Sequence, residues 1–210
     1  MKPRITLVHG WSYDASIWRE VLPLLNGLDV EAADLGFFGK SALPQLCDAP
    51  RIAVGHSLGV LWWLALTDLP WAKLVAINGF PRFTAAADFP AGVAPRVLER
   101  MIKRFAVAPA AVLADFHTAC GGAGPDLPAD PAPLAAGLRT LGEADGRAVL
   151  ATRLDDVLAL AARDDAIVPA ALSEAAFGPR LEWLPQGSHL LPLTHPQACA
   201  RLIRRAVDSL

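Results

Sequence analysis

The chain has little that would tie it to an oxidising compartment, a metal, a nucleic acid or a bilayer. Its three cysteines, Cys47, Cys120 and Cys199, lie far apart and in no metal-ligand spacing. An odd, scattered set of this kind reads as reduced thiols in a cytoplasmic protein, and neither a metal nor another cofactor is expected. Charge of neither sign dominates. Nineteen basic residues face 21 acidic ones for a formal net charge of −2, which leaves no basic surface for general nucleic-acid binding. No apolar run reaches the roughly 18 residues of a membrane span, so no membrane partner is expected. Lys2 and Arg4 precede only Ile5 to Val8 before His9-Gly10, an apolar stretch too short for a signal peptide. Repeats and low-complexity tracts are missing too, beyond a general richness in alanine.

What the chain does have is apolar content. Hydrophobic residues make up 53% of its 210 positions and charged ones 19%, enough to bury the core of one domain, with or without an insertion. The most informative stretch runs from Arg51 to Leu61. Ile52 to Val54 reads as a buried strand, Gly55-His56-Ser57-Leu58-Gly59 as a sharp turn, and Val60 to Leu66 as a buried helix. Glycines two residues either side of a serine suit a strained strand-to-helix turn, where a flanking side chain would collide with neighbouring backbone. Such a turn presents an exposed serine hydroxyl at the carboxyl end of a sheet. Ser57 is the candidate nucleophile.

Around it, strands are predicted at Ile5–Val8, Asp29–Ala33, Lys73–Asn78, Asp156–Ala161 and Leu181–Leu184. Helices are predicted over about 15–25 (Ile17, Val21, Leu24 and Leu25 on one face), 170–176 and from Pro196 onward. Alternating strands and helices predict an α/β fold, a parallel sheet with helices on both faces and its site beyond the carboxyl ends of the strands. Trp11, Ser57 and Asn78 fall at that edge. Between Gly79 and Ala148 the alternation breaks. Three helices follow one another: about 94–105, one starting at Pro109 and stopping at Gly121-Gly122, and one capped by Asp130 with Gly142 beyond its end. Residues 80–147 are therefore expected to form a helical lid inserted into a core of 1–79 and 148–210. Its first helix carries an apolar stripe of Val97, Leu98, Met101, Ile102 and Phe105. A basic stripe of Arg96, Arg100, Lys103 and Arg104 runs beside it.

A serine hydroxyl needs a base, and the base needs a carboxylate to fix its tautomer. His189, in the loop after the last strand, can reach back over the sheet to Ser57. His9 and His56 belong to backbone turns, His117 lies on a lid helix, and His195 precedes a helix start. The acid is Asp164 or Asp165, both just after the strand ending at Ala161. The order serine, acid, histidine along the chain is that of a serine hydrolase of the strand–turn–helix type.

Leu7-Val8-His9-Gly10-Trp11, the 34–41 segment, Gly55-His56-Ser57-Leu58-Gly59, Asp165-Ala166-Ile167-Val168-Pro169 and His189 together resemble the α/β-hydrolases. More narrowly, Trp11 with Trp18, and Ala111 to Phe116 in the lid, are similar to the pimeloyl-acyl-carrier-protein methyl ester esterases of biotin synthesis. That resemblance implies about six parallel strands under a helical lid and a carboxylesterase needing no cofactor. It implies Asp165 as the acid, the backbone N–H groups of Trp11 and Leu58 as the oxyanion hole, and Phe116 at the substrate. The chain departs from the group in three respects: the usual antiparallel edge is expected to be missing, Asp34-Leu35-Gly36-Phe37-Phe38-Gly39 lacks the family's proline, and Ala111 and Asp115 stand where lid arginines are found. Arg100 and Arg104 on the basic stripe are the residues that would meet an acyl-carrier-protein-bound ester in their stead. A lactonase, thioesterase or carbon–carbon hydrolase on the same triad, or a non-catalytic binding protein of this fold, are the competing readings.

Overall fold

The computed structural model describes residues 2–210. Six strands form one sheet: β1 (Arg4–Val8), β2 (Asp29–Ala33), β3 (Arg51–His56), β4 (Lys73–Ile77), β5 (Val157–Ala162) and β6 (Leu181–Leu184), in the order β2-β1-β3-β4-β5-β6 and parallel throughout. Every strand expected from the sequence is present. The helices are α1 (Leu58–Ala65), α2 (Pro95–Phe105), α3 (Pro109–Cys120), α4 (Pro131–Glu143), α5 (Arg147–Arg153), α6 (Ala170–Phe177), α7 (Leu191–Thr194) and α8 (Pro196–Asp208). None of them is long and apolar enough to cross a membrane.

Strands buried on both faces lose the polar alternation of a half-exposed sheet, and the central ones here do. Ile5, Leu7, Ile52, Val54, Val75 and Ile77 point to one face and meet Leu202, Ile203 and Ala206 of α8. Val8, Ala53, Leu74, Ala76 and Ala159 point to the other, where they meet Trp62 and Trp63 of α1, Leu150 of α5 and Phe177 of α6. A third cluster caps the carboxyl edge. There Leu98 and Phe105 of α2, Val112 and Leu113 of α3, and Leu134, Leu138 and Leu141 of α4 close over Trp11, Phe37, Leu58, Leu61 and Phe80.

Local chemistry explains the departures from the sequence reading. The helix expected over 15–25 is two separate 3₁₀ turns, Ala15–Trp18 and Leu22–Leu25. Pro23 lacks an N–H and would clash with the carbonyl four residues back, so an α-helix cannot run through it; Ile17, Val21 and Leu25 are buried all the same. Gly142 lies inside α4, not beyond it: that helix ends at Glu143, and the Gly142 carbonyl accepts a hydrogen bond from Thr84 Oγ1 at 3.2 Å. On α2 the apolar stripe is split, for Leu98 and Phe105 are buried while Val97 is exposed. Two short helices, α5 and α7, carry too few residues for periodicity to reveal them. The residue before α5, Gly146, backs onto Leu64 of α1.

Among the glycines the closest approach to another stretch of backbone is at Gly59. A Cβ there would lie 2.2 Å from the Val8 carbonyl oxygen, so α1 and the end of β1 can approach only across a glycine. Gly59→Ala is expected to lower stability by about 1–3 kcal/mol, as over-packing does. Gly39→Ala, which meets nothing within 4 Å, should change it little in the same urea titration.

Candidate active site

β3 ends at His56, and α1 begins at Leu58. Ser57, alone between them, takes φ 55° and ψ −121°, a backbone region that non-glycine residues avoid and that concentrates at functional turns. Its N–H donates to the Ile77 carbonyl at 3.1 Å, and its carbonyl accepts from Val60 N–H at 3.0 Å. A Cβ on Gly55 would lie 2.5 Å from Val60 N, and one on Gly10 only 2.9 Å from the Ser57 Cβ. The His9-Gly10-Trp11 segment therefore runs hard against the serine. Leu58 opens α1, so its N–H is among those with no intrahelical acceptor. Contrary to expectation Ser57 is not exposed: only 5% of its surface is accessible, with the Gly10 turn against it and α2, α3 and α4 packed over the neighbouring Trp11 and Leu58.

The loop after β5 carries Asp165 and the loop after β6 carries His189. His189 Nδ1 and Asp165 Oδ2 are 2.8 Å apart, with both side chains 1% exposed. The second carboxylate oxygen accepts from Ile167 N–H at 2.8 Å and Val168 N–H at 3.0 Å. Asp164 points to solvent. Burial pushes the Asp165 carboxyl up, but neighbouring His189 and the two backbone N–H groups outweigh it and hold the carboxyl below the usual aspartate value. Among the described residues no hydrogen bond joins Ser57 Oγ to His189; contacts of this kind commonly tighten only when substrate binds. His56, next to the serine in the chain, contacts His189 directly. Its ring lies 4.8 Å from that of His189, and its Nε2–H donates to the His189 carbonyl at 2.8 Å.

Asn78 contributes more than its position in the sequence suggested. It adopts φ 45°, which asparagine tolerates better than most residues. Its Oδ1 accepts from Ala162 N–H at 2.9 Å at the end of β5. Its Nδ2 donates to the carbonyls of Ser188 and His189, each at 3.0 Å. The loops bearing Asp165 and His189 are thus joined through one buried amide. No periodicity or motif marks such a residue; only its place just past β4 pointed toward the site. Of the histidines set aside, His9 Nδ1 donates to the Gly10 carbonyl while its Nε2 accepts from Leu35 N–H. His195 occupies the N-cap of α8.

Trp11 is gripped by the helices above it. Its Nε1–H donates to the Leu134 carbonyl at 2.8 Å, and its ring meets Phe116 and Phe105 edge-on, with centroids 4.8 and 6.0 Å away. Phe116 also lines a cleft of about 320 Å³ between α2 and α3. Val97, Met101 and Val112 make its apolar wall, with Arg100, Arg104 and Asp115 around it. Arg104 pairs with Asp115 at 2.8 Å, one of the two positions where the resemblance would have put an arginine. An apolar group suits such a wall, and an anionic group suits Arg100.

The chain is also similar to known proteins. The chain is 30% identical to the pimeloyl-[acyl-carrier protein] methyl ester esterase of Aromatoleum aromaticum, over 98% of both chains. It is 30% identical to that of Methylococcus capsulatus over 99% of this chain and 95% of the other. The biotin biosynthesis bifunctional protein BioHC of Cellvibrio japonicus is also 30% identical over 84% of this chain, which spans 41% of that longer protein. Among solved structures, an esterase from Exiguobacterium antarcticum superposes with a TM-score of 0.78 at 17% identity, covering 99% of this chain and 92% of that one. A bromoperoxidase from Bacillus anthracis gives 0.76 at 19% identity with the same coverage. No protein-family model matches the chain.

A buried His56 makes stability depend on pH. Burial, reinforced by His189, pushes its ring down to about 3, below the ordinary imidazole value of about 6.5. The unfolded chain therefore takes up this proton first, and stability falls as pH drops from about 6.5 toward 3, by at most about 1.4 kcal/mol per pH unit. Asp165 acts in a lower window: its contribution is full above about 3.9 and is lost as pH falls through its depressed folded value. Urea titrations between about pH 7 and 4.5 should give a shallower slope of stability against pH for His56→Gln than for the parent. Equal slopes would show that His56 takes up its proton in the folded state.

Proposed function

The chain belongs to the pimeloyl-[acyl-carrier protein] methyl ester esterase family and is a carboxylic ester hydrolase of α/β-hydrolase fold, and on that premise we propose that it works through Ser57, His189 and Asp165 on a methyl ester of a carrier-bound dicarboxylic acyl chain in biotin synthesis. The observation that carries the catalytic part is the buried 2.8 Å contact between His189 and Asp165 at the edge where β3 turns through Ser57. A histidine so held keeps its proton on Nδ1, which leaves Nε2 to accept one.

Ser57 Oγ attacks the ester carbonyl as His189 Nε2 takes its proton. Negative charge develops on the carbonyl oxygen, where the backbone N–H groups of Trp11 and Leu58 receive it. Fixed donors in a water-poor site do this without reorganising. The tetrahedral intermediate collapses, His189 returns the proton to the departing methoxide as methanol, and an acyl-enzyme remains. Water, deprotonated by the same histidine, releases the acid. The helices α2, α3 and α4 serve as the lid over this site. The cleft beside Phe116 takes the acyl chain, while Arg100, on the exposed face of α2, meets the acidic carrier.

Ser57→Ala should reduce hydrolysis by about 10⁴-fold or more while the thermal melt stays close to the parent's. Asp165→Asn should cost roughly 10⁴-fold in kcat, the price known for a triad acid, against little for Asp164→Asn. The reverse order would move the acid to Asp164. Arg100→Glu should raise KM for a carrier-bound methyl ester and weaken its salt dependence, since exposed charges act over a Debye length of about 8 Å. Hydrolysis of a small p-nitrophenyl ester by the same variant should barely change. If both substrates respond alike, the α2 face does not meet a carrier protein.

A further inference from the structure

One histidine that the mechanism does not use touches the loop on which the mechanism depends. His117, on α3, places Nε2 2.9 Å from the Ser12 carbonyl oxygen and 2.7 Å from Ser12 Oγ. A carbonyl only accepts, so the Nε2 proton is directed at Ser12. Ser12 is fully buried and adopts φ 60°, a left-handed conformation that a non-glycine residue holds only when its surroundings impose it. The ring has little freedom of its own. Tyr13 packs against it with centroids 5.2 Å apart, and a Cβ on Gly124 would come within 2.0 Å of His117 Cε1. Immediately before Ser12 stands Trp11, tied to α4 through Leu134 and wedged between Phe105 and Phe116. The turn is therefore fastened by all three inserted helices, with a polar contact at Ser12.

We propose that His117 is a positioning residue: by clamping both oxygens of Ser12 it fixes the turn that aims the Trp11 N–H at the oxyanion, so the seating of α3 is part of the catalytic geometry. The proposal rests on the Ser57 and Trp11 roles above. It follows that the inserted helices do more than roof a pocket. Displacing α3 slackens the oxyanion hole, and a substrate that seats the lid tightens it.

The test compares His117→Leu, His117→Gln and Ser12→Ala with the parent, using a p-nitrophenyl ester and an alkyl boronic acid that mimics the tetrahedral intermediate. Loss of one oxyanion donor costs 10²–10³-fold in kcat, and a misaimed donor should cost about 10- to 100-fold. His117→Leu is expected to lose that factor in kcat with KM nearly unchanged, and to weaken boronate inhibition by a similar factor. A reduced fraction of folded enzyme would lower kcat but leave the inhibition constant alone. His117→Gln, which keeps a donor, should recover part of both losses. Ser12→Ala, which leaves the carbonyl contact in place, should fall between them; it also gives a reading if His117→Leu fails to fold. The clamp is overturned if the boronate constant stays at the parent value, or if KM rises while kcat holds. Ser57→Ala assayed in parallel separates the two claims: residual activity there overturns the nucleophile, whereas an inactive Ser57→Ala beside an unaffected His117→Leu overturns only the clamp.

Discussion

The turn from β3 into α1 is possible only because backbone passes where side chains would otherwise stand. A Cβ at Gly59 would meet the Val8 carbonyl at 2.2 Å, and one at Gly55 would meet Val60 N at 2.5 Å. Between these two contacts the chain has a single route, and that route forces Ser57 to φ 55°. The strain cannot relax while β1, β3 and α1 keep their spacing. Every other feature of the site is arranged around that fixed point. The segment after β1 runs past at Gly10, the first N–H of α1 is left without an acceptor, and the strand on the far side, β4, receives the serine N–H through Ile77.

Parallel topology then supplies the rest. Because all six strands run the same way, their carboxyl ends deliver Trp11, Ser57, Asn78, Asp165 and His189 to one edge. Delivery alone would leave five loops free to drift. The Asn78 amide and the His56 ring prevent that by holding the Ser188 and His189 carbonyls, while Asn78 also holds the end of β5. These are buried polar groups whose hydrogen bonds replace water, and such a network is rigid only when it is well satisfied. His56 is the partial exception, since its Nδ1 has no partner; a ring held neutral carries that at far lower cost than a charged one.

The strands were legible because burial on both faces writes itself as short continuous apolar runs, and the glycine-flanked serine because the steric rule behind it is local. Ser57 and His189 could be named from motif and chain order, whereas the choice of Asp165 over Asp164 and the naming of the Trp11 and Leu58 N–H groups rested on resemblance; in the structure Asp165, not Asp164, lies against His189. What the sequence hid was of two kinds. The stretch around Pro23 has helical spacing of apolar residues but a backbone that cannot be helical, so periodicity outran geometry. Asn78, His56 and His117 act through contacts with residues 84 to 133 positions away, and no window along the chain contains both partners. The exposure of Ser57 was misjudged for the same reason. Part of its cover is the turn at Gly10, 47 positions earlier in the chain.

The central claim is that Ser57 is the nucleophile of an ester hydrolase, activated by His189. The most direct measurement is peptide mass spectrometry after exposure to a fluorophosphonate. A single covalent adduct on the peptide carrying Ser57, lost in a His189→Ala variant, is the result this account predicts. An adduct on another residue, or labelling of Ser57 that persists undiminished without His189, would contradict it.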